Sequence, residues 1–143
     1  KQNERHNQFY KYITLCIERR CFIMCKLSEI RHGAVFMMEI PHNPDIKHMQ
    51  NGIRPVLAIS NNFNLKSSPC IHIVPITTSS TKHRLPTHVS LDADFLRKKS
   101  MALAEQLMQV SKQTLIETGR YLGSLSEEDL ANVKKALCIQ LAL

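Results

Sequence analysis

Two short apolar runs, each carrying a proline, constrain this chain more than any other feature. The first is Gly52-Ile53-Arg54-Pro55-Val56-Leu57-Ala58-Ile59-Ser60-Asn61, in which a turn glycine and an arginine precede the apolar stretch. The second is Ile71-His72-Ile73-Val74-Pro75-Ile76, which runs into the hydroxyl series Thr77-Thr78-Ser79-Ser80-Thr81. Both have strand length. Pro55 is acceptable at the head of a strand because a missing N–H is tolerated there, and Pro75 predicts an edge or a bulge. An arginine at the mouth of one strand and hydroxyls at the end of another are suited to converge on a phosphate, since the planar guanidinium binds phosphate oxygens bidentately and stays charged.

The flanking pattern extends this reading. Ala34–Ile40 reads as a strand closed by Pro41, and residues 41–53 form a loop with polar turns at His42-Asn43-Pro44-Asp45 and Gln50-Asn51-Gly52. Strands are expected over Arg54–Ser60, Cys70–Ile76 and Thr87–Leu91, with weaker ones over Met101–Leu107 and Thr118–Tyr121. The stretch from Asn61 to Pro69 reads as a loop. At the C-terminal end, Ser126 is a suitable N-cap and Glu127, Glu128 and Asp129 complement the positive end of a helix dipole. Leu130, Val133, Leu137 and Leu141 then fall at helical spacing. Residues 1–28 read as an N-terminal extension, with Phe9, Ile13, Cys16, Ile17 and Cys21 on one helical stripe. The main domain then spans residues 29–143. Short strands at close spacing, with helices at the ends, predict an α+β chain built on a small antiparallel barrel or sandwich.

Composition narrows the function. Hydrophobic residues reach 43%, enough for a core in a chain of 143 residues, and the formal net charge is +7. A basic excess favours polyanionic partners, RNA or DNA first. No run is long enough to span a bilayer, and no secretory signal is read, so a cytoplasmic protein is expected with no membrane partner. The five cysteines match no zinc spacing and read as reduced thiols, so neither a metal nor another cofactor is expected.

In order and spacing the chain resembles the MazF/PemK toxins. The resemblance rests on His32-Gly33-Ala34-Val35-Phe36, Gln50-Asn51-Gly52-Ile53-Arg54-Pro55-Val56-Leu57, Val74-Pro75-Ile76-Thr77, Leu85-Pro86-Thr87-His88-Val89 and Glu105-Gln106-Leu107. It continues through Ile116–Leu125 into Val133–Leu143, and so covers residues 29–143. It implies an SH3-like antiparallel β-barrel with short helices and a C-terminal helix, assembled as a homodimer. It further implies the toxin half of a type II toxin–antitoxin pair: a metal-independent endoribonuclease cutting single-stranded RNA at short motifs. The implied partner is a MazE-like antitoxin whose acidic, flexible tail occupies the RNA groove. Arg54 and Thr77 stand where that family has its catalytic pair. The chain departs from the pattern at three places. Ala34 replaces an aspartate, and Met108 an arginine. Met49 replaces an acidic loop residue that has been proposed as an acid or base in some members. His48, beside Met49, is positioned in sequence to stand in.

The implied chemistry is attack of an RNA 2′-OH on its own scissile phosphate, with Arg54 stabilising the charge that builds on the non-bridging oxygens and Thr77 bonding one of them. A threonine ending a strand more ordinarily bonds to backbone. His48, Gln50, Asn51, Asn61, Thr78, Ser79 and Gln106 are candidates for contacting RNA bases and phosphates, and Lys82, with His83 and Arg84, for tracking the backbone. A rival acid–base pair would draw on His48, His72, His83 and His88. His72, between Ile71 and Ile73, is expected on the opposite face from them. Two other functions fit the same barrel: a gyrase-binding toxin of the CcdB kind, or a catalytically silent binding module.

Overall fold

The computed structural model describes residues 27–78 and 84–143. The expected N-terminal helix, and the candidates Ser79, Lys82 and His83, lie outside the described residues. Seven strands appear: β1 (Ala34–Ile40), β2 (Gly52–Ala58), β3 (Cys70–Thr77), β4 (His88–Leu91), β5 (Ser100–Leu103), β6 (Met108–Ser111) and β7 (Arg120–Ser124). Three α-helices accompany them: α1 (Asn62–Ser67), α2 (Lys112–Thr118) and α3 (Glu127–Leu141). Short 3₁₀ turns cover Leu27–Glu29 and Ala104–Gln106.

All pairings are antiparallel, in the order β4-β5-β3-β2-β1-β7, with β6 also on β3. The sheet curls into a half-barrel, and the chain is α+β. β3 is the hub. One flank pairs with β2, while the other pairs first with β6 through Cys70–Ile73 and then with β5 through Ile76–Thr77. Pro75, expected at an edge or a bulge, falls where that second flank changes partner, so its missing N–H meets a gap in the ladder.

Strand alternation divides the apolar side chains between two cores. Phe36, Met38, Ile40, Val56, Ala58, Ile71 and Ile73 point into the first, covered by Leu65 of α1 and Leu115 of α2. Val35, Leu57, Val74 and Ile76 point into the second, covered by Val133 of α3. Both faces of the central strands are therefore buried, which explains their nearly continuous apolar runs.

Three expectations need correction. Residues 61–69 are not simply a loop: Asn61 caps α1 by accepting from the Asn64 N–H at 2.8 Å. The apolar run at Met101–Leu107 is strand only to Leu103, then turns at Ala104–Gln106. Thr118 ends a helix rather than starting a strand, and β7 follows from Arg120. α1 and α2 are six and seven residues long and each buries one leucine. Burial of such a side chain is worth about 1.5–3 kcal/mol and holds helices too short to persist alone.

The C-terminal helix forms as expected. Ser126 Oγ accepts from the Asp129 N–H at 3.1 Å. Leu130, Val133 and Leu137 pack on the second core, but Leu141 is exposed, because the helix outruns the core, and Ala136 is buried. α3 lies against β4 and the Ala104–Gln106 turn, and so braces the region from which the candidate site is built.

Candidate active site at one end of the β2–β3 pair

The paired register of β2 and β3 includes Val56 opposite Pro75. The pairs end there; extended two residues, the same register would set Thr77 across from Arg54. Alternation gives both residues the face of the first core. Directly opposed antiparallel positions have Cβ atoms about 4.5–5.5 Å apart, close enough for one phosphate to reach both side chains. Both are half-buried.

The guanidinium is held by the loop that precedes its strand. Arg54 Nε donates to the Asn51 carbonyl at 2.7 Å, Nη2 donates to the same oxygen, and Nη1 donates to Gln50 Oε1. These bonds engage three of the five guanidinium N–H groups and leave two for a ligand. Partial burial lowers the Arg54 pKa through desolvation, yet the group keeps its charge at neutral pH.

The supporting loop bends sharply. Gly52 takes φ 74° and His48 φ 67°, so left-handed residues bracket Met49-Gln50-Asn51. Glycine adopts this conformation freely, whereas for histidine it costs about 1–2 kcal/mol. Gln106 reaches across from its 3₁₀ turn. Its Oε1 accepts from the Gln50 N–H at 2.8 Å, and its Nε2 donates to the His48 carbonyl at 3.4 Å. Asn51 Nδ2 lies 3.0 Å from His42 Nδ1.

Glu105 anchors the same turn on its other side. Thr87 Oγ1 donates to Glu105 Oε2 at 2.9 Å, and His88 Nε2 meets Glu105 Oε1 at 2.9 Å. The Leu85 N–H donates to His88 Nδ1 at 3.2 Å, so Nε2 carries the ring proton. Both ring nitrogens of His88 are thus engaged in structure.

The site therefore gathers Arg54, Thr77, His48, Gln50, Asn51 and Gln106. Thr78 follows Thr77 and is exposed. Asn61 stands at the opposite end of β2, where its side chain caps α1. His72 faces away from Ile71 and Ile73, as expected, and is exposed. It precedes Thr77 by five residues on β3, about 16 Å along an extended strand. His88 has both ring nitrogens engaged, by Glu105 and the Leu85 N–H, and so is not free to act as half of an acid–base pair. No group of three or more His, Cys, Asp or Glu among the described residues could hold a metal ion.

The model for the PemK-like, MazF-like toxins of type II toxin–antitoxin systems matches residues 31–141. The chain belongs to that family. It is 34% identical over 116 residues to the endoribonuclease EndoA of Bacillus subtilis (strain 168), covering 80% of this chain and 96% of that protein. The fold is similar to that of a MazF from Deinococcus radiodurans, with 21% identity, a TM-score of 0.65, and 79% of this chain and 96% of that chain covered. It is also similar to an endoribonuclease from mycobacterial species solved with its cognate antitoxin, with 24% identity, a TM-score of 0.63, and 79% and 95% covered.

Two departures of this PemK/MazF-family chain fall in one place. Met49 and Met108 both pack against the first core, and both line a cleft of about 530 Å³ between the 41–49 loop and β6. The two positions at which the resemblance implies an acid and an arginine therefore hold apolar side chains in a single cleft. The sequence showed these as separate changes. Glu105 and Thr87 were visible only as parts of the family blocks, and their mutual bond depends on a turn inside an apolar run.

Proposed function

We propose that this chain is the toxin of a type II toxin–antitoxin pair and a sequence-specific endoribonuclease that cuts single-stranded RNA without a metal. The observation that supports the reading is an Arg54 guanidinium held by Gln50 and Asn51 with two N–H groups uncommitted among the described residues, on the strand face that Thr77 shares. The nucleophile is the RNA 2′-OH itself. Its oxygen attacks the adjacent phosphorus, its proton is lost, and the 5′ oxygen leaves with a proton, giving a 2′,3′-cyclic phosphate and a 5′-hydroxyl end. Charge on the non-bridging oxygens is greatest in the transition state, and preorganised donors stabilise it most there. Arg54 is the main stabiliser and Thr77 bonds a phosphate oxygen. With the acidic loop position occupied by Met49, no carboxylate acts at that position. Exposed His48, beside Met49 on the loop, is the candidate for proton transfer.

Gln50, Asn51 and Thr78 line the approach to Arg54, and Ser79 and Lys82 follow Thr78 in sequence; these would contact bases and backbone, aided by the net charge of +7. A mycobacterial relative is solved with its cognate antitoxin, which supports a MazE-like antitoxin as the partner here. A homodimer is the assembly expected for the family. Among the described residues no helix is long and apolar enough to cross a membrane, and an enzyme acting on cellular messages belongs in the cytoplasm. Residues 1–28 form an extension outside this toxin domain.

The test is cleavage of a long unstructured RNA in EDTA by the wild type and Arg54→Ala. Discrete cuts by the wild type, slowed about a hundred- to thousandfold in the variant, are expected. Intact RNA with both folded proteins, across varied sequences, would overturn the reading in favour of a protein-binding toxin.

A further inference from the structure

We propose that Gln106 is a positioning residue for the Arg54 guanidinium, acting through the 48–51 loop rather than by reading RNA. The proposal rests on the endoribonuclease reading above. Every hydrogen bond of the Arg54 guanidinium within the described residues goes to Gln50 or Asn51. The aim of the guanidinium is thus no better defined than those two residues. The preceding segment, residues 44–48, is exposed throughout and supplies little packing to fix them. His48 adds strain, since a non-glycine residue at φ 67° persists only where its surroundings over-determine it.

Gln106 supplies that constraint. Its two amide ends bracket Met49, accepting from the Gln50 N–H and donating to the His48 carbonyl. A side chain with its acceptor committed to one backbone group and a donor committed to another is poorly placed to read a base edge as well. Its own turn is held from behind. Glu105 accepts from Thr87, which is 7% exposed, and from His88, while the Ala104 N–H donates to the Thr87 carbonyl at 3.0 Å. The Ala104–Gln106 turn therefore ties the loop before β2 to the segment entering β4.

The experiment compares wild type, Gln106→Ala and Gln106→Glu in two measurements. Amide hydrogen exchange of Gln50 is followed in the RNA-free protein, and kcat and KM are measured on a short cleavable RNA. Gln106→Ala should speed Gln50 exchange and lower kcat about 10- to 100-fold, the scale of a small misplacement of a catalytic group, with KM little changed. Gln106→Glu keeps an acceptor for the Gln50 N–H but loses the donor to the His48 carbonyl, so it should restore Gln50 protection and only part of kcat; it also covers the case in which alanine unfolds the turn. Unchanged Gln50 exchange in Gln106→Ala, or a rise in KM alone with an altered cut motif, would overturn the proposal and make Gln106 an RNA reader. If the wild type fails to cleave RNA at all, the endoribonuclease reading falls, while Gln50 exchange still decides whether the clamp exists.

Discussion

The two ends of the β2–β3 pair are both rich in polar side chains, and they use them in opposite ways. At the far end, polar groups close on the fold itself. Asn61 caps α1, the His32 N–H donates to Asn62 Oδ1 at 2.8 Å, and His32 Nδ1 lies 3.0 Å from the Ile59 carbonyl. The His72 N–H donates to Ser60 Oγ at 2.8 Å. At the near end a guanidinium is held by three bonds and keeps two N–H groups in reserve beside a strand-end threonine. Polar side chains that satisfy backbone groups stabilise the fold, whereas a held cation with donors to spare is suited to an anion.

That contrast orders the effects of substitution. The largest loss belongs to Arg54→Ala, and the comparison is sharpened if its hundred- to thousandfold fall in cleavage comes with an unchanged melting temperature. Thr77→Val keeps the shape and strand propensity but removes the hydroxyl. One lost hydrogen bond to a charged oxygen, about 1.5–3 kcal/mol, predicts a cleavage rate at saturating RNA lower by roughly ten- to hundredfold. The smallest effect on rate belongs to Asn61→Ala at the far end. It should remove about 1 kcal/mol of stability through the lost cap, lowering the thermal midpoint by a few degrees, and leave cleavage unchanged. A cleavage defect in Asn61→Ala comparable with that of Thr77→Val would break the distinction between the ends and return Asn61 to the RNA surface.

Much of this was legible in the sequence where apolar runs were long and bounded by strong punctuation. Ala34–Ile40 ends at Pro41, and Ser126 with three following acids marks α3. The short helices were not legible, because a single buried leucine in each, Leu65 and Leu115, has no periodicity to reveal. Arg54 and Thr77 stood out as an arginine and a hydroxyl at strand ends, but their opposition required the β2–β3 register. The sequence offers Gln106 as a candidate RNA contact, and nothing in it places that amide against a loop more than fifty residues earlier. Met49 and Met108 are far apart in sequence, and only folding puts both in the same cleft.

The central claim is that Arg54 acts as a held fork, with some N–H groups fixing its aim and others meeting the phosphate. The most direct measurement is the single-turnover cleavage rate of Arg54→Lys at saturating RNA, beside wild type and Arg54→Ala. Lysine keeps the charge but has three donors on one atom and cannot bind Gln50, Asn51 and a phosphate in the arginine's geometry. The account predicts a rate close to that of Arg54→Ala. A rate for Arg54→Lys near that of the wild type would contradict it, and would reduce the site to a point charge beside the scissile phosphate.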